Sequence, residues 1–156
     1  MDFKHVNRRD DPAYKAGWQR HHIYPRELRR RPQIIAFLKA VLPHFRLDDF
    51  LHNGILLPGC STVAGSTGLP LHGGPHPRYN DWVAGSIDAI ATSWRSSSNR
   101  SAIFAANSVR ALHRRLSDNL ARPRSVSVQL EDLAIFLPYP DRDRHFAMAD
   151  RISAEL

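Results

Sequence analysis

The stretch WQRHHIYP, residues 18–25, decides the fold because it combines a strand pattern with two adjacent histidines. Its aromatic and β-branched residues predict a short strand, and Pro25 ends that strand because proline has no backbone N–H to donate. Successive side chains of a strand point to opposite faces of the sheet, so His21 and His22 are expected to face different sides. Both rings cannot then bind one metal ion, and a division of labour between them is expected.

A second apolar segment, NGILLP at residues 53–58, offers a partner for this strand. A turn is predicted at Asn53-Gly54, followed by a strand over residues 55–57 that ends at the Pro58-Gly59 pair. The two strands would pair as a hairpin with a long excursion between them. That excursion contains a predicted helix beginning at Pro32, which places three apolar residues on one face: Ile35, Leu38 and Leu42.

Two amphipathic helices are predicted after a segment rich in glycine and proline. Residues 59–77, GCSTVAGSTGLPLHGGPHP, are expected to contain no regular element. Pro77 opens the first helix, and the second follows the polar break SSSNRS. The repeating apolar residues are Tyr79, Val83, Ile87, Ile90 and Trp94 in the first helix and Ala105, Val109, Leu112, Leu116 and Leu120 in the second. Val126, Val128 and Leu130 alternate as in a strand, and residues 143–156 are predicted to be helical.

Composition predicts one soluble globular domain over residues 1–156. No apolar run approaches the roughly 20 residues of a membrane-spanning helix, and the opening MDFKHVNRRDDPAYK lacks the apolar region of a secretory signal. Cys60 is the only cysteine, which excludes an intrachain disulfide and a thiolate-rich metal site. The net charge is +7, and 19 of the 22 basic residues are arginine, which favours a polyanionic partner such as nucleic acid.

Two further histidines lie in the sequence HGGPH, where the loop meets the helix that begins at Pro77. His72 and His76 are four residues apart, and a loop can bring their rings together although the intervening Gly-Gly-Pro disfavours a helix. Neutral imidazole is a good ligand for zinc and other divalent transition metals. Three protein ligands leave a coordination position open for water or substrate, which is the arrangement of a catalytic metal site.

The strings HHIYP, NGILLP and LPLHGGPHPRYN together resemble the AHH nucleases of the HNH/endonuclease VII superfamily. The resemblance implies an α+β fold built on a ββα-metal finger: a strand that ends in paired histidines, a second strand and a helix. The finger would occupy residues 18–96, with residues 97–156 forming a helical C-terminal extension. Arg20 stands where the family name places alanine.

The resemblance also implies roles for individual residues. His22 would be the general base that activates water, and Asn53 would either orient that base or brace the finger. His21 and His76 would bind the metal, and His72 would be the third ligand, although in some related fingers its position contacts phosphate. Three arginines close to these groups in the sequence are candidates for phosphate binding: Arg20, Arg26 and Arg78. Tyr79 and Asn80 are assigned to packing and to the first helical turn.

By this resemblance, the expected function is metal-dependent hydrolysis of DNA phosphodiester bonds with low sequence specificity, in an antibacterial toxin or effector. All-histidine ligation favours bound Zn²⁺, whereas Mg²⁺, Mn²⁺ or Ni²⁺ could support turnover. The expected partners are DNA and an acidic immunity protein, with export by a dedicated secretion route and action in the cytoplasm of a target cell. Two alternatives stay open: an RNase on the same finger, and a zinc-containing nucleic-acid-binding module without catalysis.

Overall fold

The structure is mixed α+β, as the sequence predicts. A computed structural model of the chain describes residues 1–125 and 128–130. In chain order the elements are β1 (Trp18–His22), α1 (Pro32–Val41), α2 (Phe50–Asn53), β2 (Gly54–Pro58), α3 (Ser61–Thr67), α4 (Pro77–Ser96) and α5 (Ala102–Leu120), with short 3-10 helices at Phe3–His5 and Arg26–Arg30. None of the helices in this part of the chain is long and apolar enough to cross a membrane.

The two strands form an antiparallel pair, which confirms the predicted hairpin with a long excursion. His21 lies opposite Ile55, and His22 lies opposite Gly54 at the end of the ladder. His21 is 2% exposed, whereas the preceding Arg20 is exposed, as the period of two along a strand requires. The sheet therefore presents the two adjacent histidines to different surroundings.

The excursion between the strands differs from its prediction in two details. Helix α1 buries Ile34, Leu38 and two other apolar residues, and the predicted Ile35 and Leu42 are only partly buried at the edge of the core. Asn53 ends the short helix α2 and does not lie in a hairpin turn, so the turn prediction was wrong. Local capping explains the difference, because the Asp49 carboxylate accepts a hydrogen bond from the Leu51 N–H at the start of α2.

The prediction of no regular element in residues 59–77 was also wrong, because α3 lies within this segment. Most of the glycines and prolines fall after α3, and the one inside it, Gly65, faces open space. Gly68 ends the helix with a positive φ of 68°, a conformation that disfavours a side chain. A β-carbon at Gly68 would also lie 2.6 Å from the Arg124 carbonyl oxygen. The clustering of glycine thus marks the end of a helix here.

The two long helices are confirmed, and together with α1 they form the core that supports the sheet. All five predicted apolar positions of α5 are buried, and in α4 only Trp94 of the predicted stripe remains partly exposed. Full burial of one such leucine or isoleucine side chain stabilises a fold by about 1.5–3 kcal/mol. Although α5 falls in the predicted extension, residues 97–156, it shares one core with the predicted finger, residues 18–96. That division of the chain stays a prediction.

Near the end of the described residues, Gln129 forms a single parallel bridge with Leu71. The Leu71 N–H donates to the Val128 carbonyl, and the Leu130 N–H donates to the Leu71 carbonyl. This bridge holds the loop that carries His72. The strand predicted from Val126, Val128 and Leu130 is not found at Val128 and Leu130, where the described residues form only this isolated bridge at Gln129. Val126 and the helix predicted over residues 143–156 lie outside the described residues.

Candidate metal and nucleic-acid site

Three histidines, one from β1 and two from the HGGPH segment, meet on one face of β1. Each of His21, His72 and His76 offers a ring nitrogen, and these three nitrogens all lie within 4.8 Å of one another. The Nε2 atoms of His72 and His76 are 3.2 Å apart. Two nitrogens that bind one tetrahedral zinc ion at about 2.0–2.1 Å are separated by roughly 3.3 Å, so this spacing fits a shared metal ion. The structure brings together all three predicted metal ligands.

The backbone fixes the position of each of the three histidines. His21 lies in β1, and the His72 N–H donates to the carbonyl of Pro58 at the end of β2. His76 is the residue before α4, whose first position is proline. Buried Tyr79 packs against the His21 and His76 rings, and its hydroxyl donates to the Ile23 carbonyl at 2.7 Å. The prediction that Tyr79 serves packing is confirmed.

The outer nitrogens of His72 and His76 contact amide oxygens. His72 Nδ1 is 3.0 Å from Oε1 of Gln19, and His76 Nδ1 is 2.9 Å from Oδ1 of Asn80. Because an amide oxygen only accepts hydrogen bonds, each Nδ1 must carry the hydrogen, which leaves Nε2 with a free lone pair. Metal-bound histidines typically donate their other N–H in this way. Asn80 therefore contacts His76 in addition to lying in the first turn of α4.

Burial favours the neutral, metal-binding form of two of the three rings, those of His21 and His72. Desolvation lowers the pKa of His21 well below its usual value, and electrostatic repulsion from His76, His72 and His22 lowers it further. Burial, followed by the influence of His76, lowers the pKa of His72 to about 4. The buried Nε2 of His21 has no hydrogen-bond partner within the described residues. The converging nitrogens, the unpaired buried Nε2 of His21 and the lowered pKa values of His21 and His72 all fit a divalent metal ion.

His22 lies on the other face of β1, against the N-terminal segment. Its ring stacks on Phe3 with the centroids 3.5 Å apart and the planes 3° from parallel. Its Nε2 is 3.7 Å from an oxygen of Asp48, which also forms ion pairs with Arg26 and Arg29. The His22 side chain is 18% exposed. One histidine of the pair is thus part of a metal-binding cluster, while the other is held between an aromatic ring and a carboxylate.

The surroundings of His22 oppose its protonation on balance. Burial lowers its pKa to about 4, while the negative charge of Asp48 acts in the opposite direction and Arg26 adds to the lowering. The ring is therefore neutral near pH 7 and can accept a proton. An approaching phosphate would add negative charge beside the ring and so raise its pKa.

Asn53 is fully buried and is hydrogen bonded to the backbone. Its Nδ2 donates to the carbonyls of Tyr24 and Leu47, each at 2.9 Å, and its Oδ1 accepts from the Tyr24 N–H at 2.8 Å. These contacts tie the end of β1 to the start of β2. Of the two roles expected for Asn53, they match bracing of the finger, since no bond joins its side chain to the His22 ring in the described residues.

The three candidate phosphate-binding arginines occupy different positions around the site. Arg20 is exposed, and its Nη1 donates to the Phe3 carbonyl at 2.6 Å. The Arg26 side chain is 62% exposed and lies 3.7 Å from Asp48. Arg78 is exposed at the second residue of α4, next to the histidine cluster in sequence. All three lie near one of the two histidine environments, and phosphate binding by them stays a prediction.

Four residues that contact the site histidines were not predicted from the sequence. Gln19 could have been found, because it lies two residues before His21 and so shares a face of β1 with it. Asn80 could also have been found, because it is four residues after His76 at the start of a helix. Phe3 and Asp48 had no such signal, since each reaches His22 from a distant part of the chain.

Comparison with known proteins agrees with this geometry. A family model described as AHH, a nuclease family of the HNH/ENDO VII superfamily with conserved AHH, matches residues 3–116. No curated protein and no solved structure shows significant similarity to the chain. Arg20 replaces the first residue of the conserved triplet at an exposed strand position, where a long side chain fits without disturbing His21. With more than half of its residues matched, the chain belongs to the AHH family of nucleases of the HNH/ENDO VII superfamily.

Proposed function

We propose that this nuclease is a metal-dependent endonuclease that hydrolyses DNA phosphodiester bonds with low sequence specificity. One observation carries the proposal: adjacent histidines of β1 lie in two different environments, one among metal-binding nitrogens and one stacked alone on Phe3. Hydrolysis of a phosphodiester needs charge neutralisation at the phosphate and a base for the attacking water. The face with the metal-binding nitrogens would supply charge neutralisation, and the face with His22 would supply the base.

On the first face, His21, His72 and His76 would hold one divalent cation. When bound, that cation would act as a Lewis acid, neutralising charge on the phosphate and on the leaving oxygen. Gln19 and Asn80 hold the rings of His72 and His76 with the Nε2 atoms directed at each other. Ligation by three imidazoles favours Zn²⁺ over Mg²⁺ as the bound ion, and Mg²⁺, Mn²⁺ or Ni²⁺ are the ions to test for turnover.

On the second face, His22 would take a proton from the attacking water. The Phe3 ring fixes the plane of the imidazole, and Asp48 lies on the side of its Nε2. A carboxylate at this nitrogen stabilises the imidazolium that forms when the other nitrogen accepts a proton. Arg20, Arg26 and Arg78 would contact the scissile phosphate or its neighbours.

Low sequence specificity follows from the kind of contact that the surface offers. The chain has a net charge of +7 that is dominated by arginine, and arginine binds phosphate oxygens bidentately. Contacts to phosphates position a protein on nucleic acid without reading its sequence. Binding should therefore weaken steeply with salt.

The first experiment tests substrate and metal together. Purified protein is incubated with plasmid DNA and with structured RNA, with and without EDTA, and across Zn²⁺, Mg²⁺, Mn²⁺ and Ni²⁺. Metal-dependent nicking of the plasmid supports the proposal, whereas cleavage of RNA alone would establish the RNase alternative.

The second experiment separates catalysis from a structural zinc site by replacing His22. We expect His22→Ala to keep its bound metal and to lose about 10²–10⁴-fold in cleavage rate, the usual contribution of a general base. His44→Ala is the matched control, because His44 is exposed and lies outside both histidine environments. Normal cleavage by His22→Ala would refute the base assignment, and loss of metal would refute the division of labour.

We also propose a biological role as an antibacterial toxin or effector, exported by a dedicated secretion route to act in the cytoplasm of a target cell. The support is the family resemblance together with the basic surface, which fits an acidic immunity protein as partner. Expression in bacteria should be toxic, and co-expression with the cognate acidic protein should suppress that toxicity. An inactive His22→Ala variant that remained toxic would contradict this role.

A further inference from the structure

A basic groove of about 550 Å³ lies between the N-terminal segment and β1. Four cationic side chains line it: Lys4, Arg8, Arg9 and Arg20. Asp10 is the one acidic residue among its lining residues. This excess of positive charge in a concave surface concentrates polyanions.

The groove is held open by a fixed loop. Asn7 has a positive φ of 49°, a conformation that asparagine tolerates better than most residues. Its side chain donates to the carbonyls of Lys15 and Trp18 and accepts from the Lys15 N–H at 2.7 Å. These three bonds fix the segment that carries Arg8 and Arg9 against the strand that carries the site histidines.

The groove meets the site on both faces of β1. Gln19 lines the groove and contacts His72 of the metal-binding cluster. Arg20 also lines it and donates to the carbonyl of Phe3, whose ring stacks on His22. The groove is therefore connected through one lining residue to each of the two histidine environments.

We propose that this groove binds the sugar–phosphate backbone of the substrate strand at the nucleotides next to the scissile phosphate. The inference rests on the proposed function and extends it to a second set of residues, Lys4, Arg8 and Arg9. Asp10 has an unusual part in it, because its carboxylate forms a bidentate ion pair with Arg8, with Nε donating at 2.9 Å. A phosphate must compete with Asp10 for Arg8, so the free protein carries its own anionic competitor in the groove.

The test is nucleic-acid binding measured against salt, by fluorescence anisotropy of a short labelled DNA duplex in EDTA so that no cleavage occurs. We expect Asp10→Asn to bind several-fold more tightly than wild type, with a steeper salt dependence. We expect Arg9→Ala to bind more weakly, with the slope of log K against log salt reduced by about 0.9 for one lost phosphate contact.

Matched controls separate the groove from net charge. Asp88→Asn and Arg95→Ala make the same charge changes at exposed residues of α4. Arg95 lies about 27 Å along the helix from its start beside His76, at 1.5 Å per residue. Circular dichroism checks that all four variants fold, which is expected because each changed side chain is exposed.

The outcomes are distinct. Larger effects for Asp10→Asn and Arg9→Ala than for their controls support the groove. Effects no larger than those of the controls would overturn the groove proposal. If the wild-type protein nevertheless cleaves DNA when metal is present, the proposed function stands. A wild-type protein that neither binds nor cleaves nucleic acid would overturn both.

Discussion

The two faces of β1 hold neighbouring residues of the same type in very different ways. His21 is buried against two other histidines and a tyrosine, and its Nε2 is unpaired within the described residues. The His22 side chain is partly exposed and stacks on Phe3, while its Nε2 is also buried without a hydrogen-bond partner in the described residues and lies 3.7 Å from an oxygen of Asp48. The first setting suits a nitrogen that shares a cation, and the second suits one that exchanges a proton with substrate or solvent. A period of two is enough to create this difference between adjacent residues.

The largest expected effect is at the metal-binding face. His21→Ala should lose the bound metal and reduce cleavage by roughly 10³-fold or more, because a Lewis-acid metal contributes several kcal/mol to the transition state. Metal content by mass spectrometry and the cleavage rate are measured on the same sample. A His21→Ala variant with full metal content would show that the cluster is not the site, and the contrast with His22→Ala would then disappear.

The second expected effect is a loss of folding stability when the Asn53 side chain, which connects the end of β1 to the start of β2, is removed. Asn53→Ala should lower the free energy of unfolding by about 3 kcal/mol, because three buried backbone groups lose their partners and each unsatisfied group costs about 1–3 kcal/mol. Urea denaturation measures this loss, with and without metal. If Asn53→Ala retained stability but lost cleavage, Asn53 would act on the base and not as a brace.

His21 and Asn53 differ in how fully the sequence predicts their roles. The pairing of the strands, the helices beginning at Pro77 and after SSSNRS, and the convergence of three histidines follow from local patterns and a family resemblance. The brace at Asn53 was one of two alternatives, because its partners at Tyr24 and Leu47 are distant backbone groups that no side-chain pattern marks. The same limit hid Phe3 and Asp48. Helix α3 was not predicted because its segment was judged by the number of its glycines, whereas the position of the glycines decides where the helix ends.

A smaller effect is expected at the residues that orient the metal-binding rings. Asn80→Ala should weaken metal affinity by 10–100-fold, the usual consequence of losing a hydrogen bond to the outer nitrogen of a ligand histidine. Competition with a chromophoric chelator measures the affinity. Asn119→Ala, which removes a partly exposed asparagine from α5, is the matched control and should bind metal normally. Equal affinities in the two variants would remove Asn80 from the site.

The last expected effect is seen only in acid and involves both faces of β1 in the metal-free protein. The pKa values of His22 and His72 are about 4 in the folded chain, below the value of about 6.5 expected when they are unfolded. Above pH 6.5 neither state binds these protons, so the contribution to stability is fully present. As the pH falls from 6.5 toward 4, the unfolded chain takes up protons that the folded chain excludes, and stability is lost.

The urea midpoint of the metal-free protein should therefore fall steadily between about pH 7 and pH 4.5, the range in which the unfolded chain binds more protons than the folded chain. Solvent screening at these partly exposed rings keeps the slope below the maximum of about 1.4 kcal/mol per pH unit for each proton. His72→Gln should flatten the profile, because it removes one of the two rings whose protonation is opposed by burial. A profile equally steep in His72→Gln would show that burial of His72 does not suppress its protonation in the folded chain.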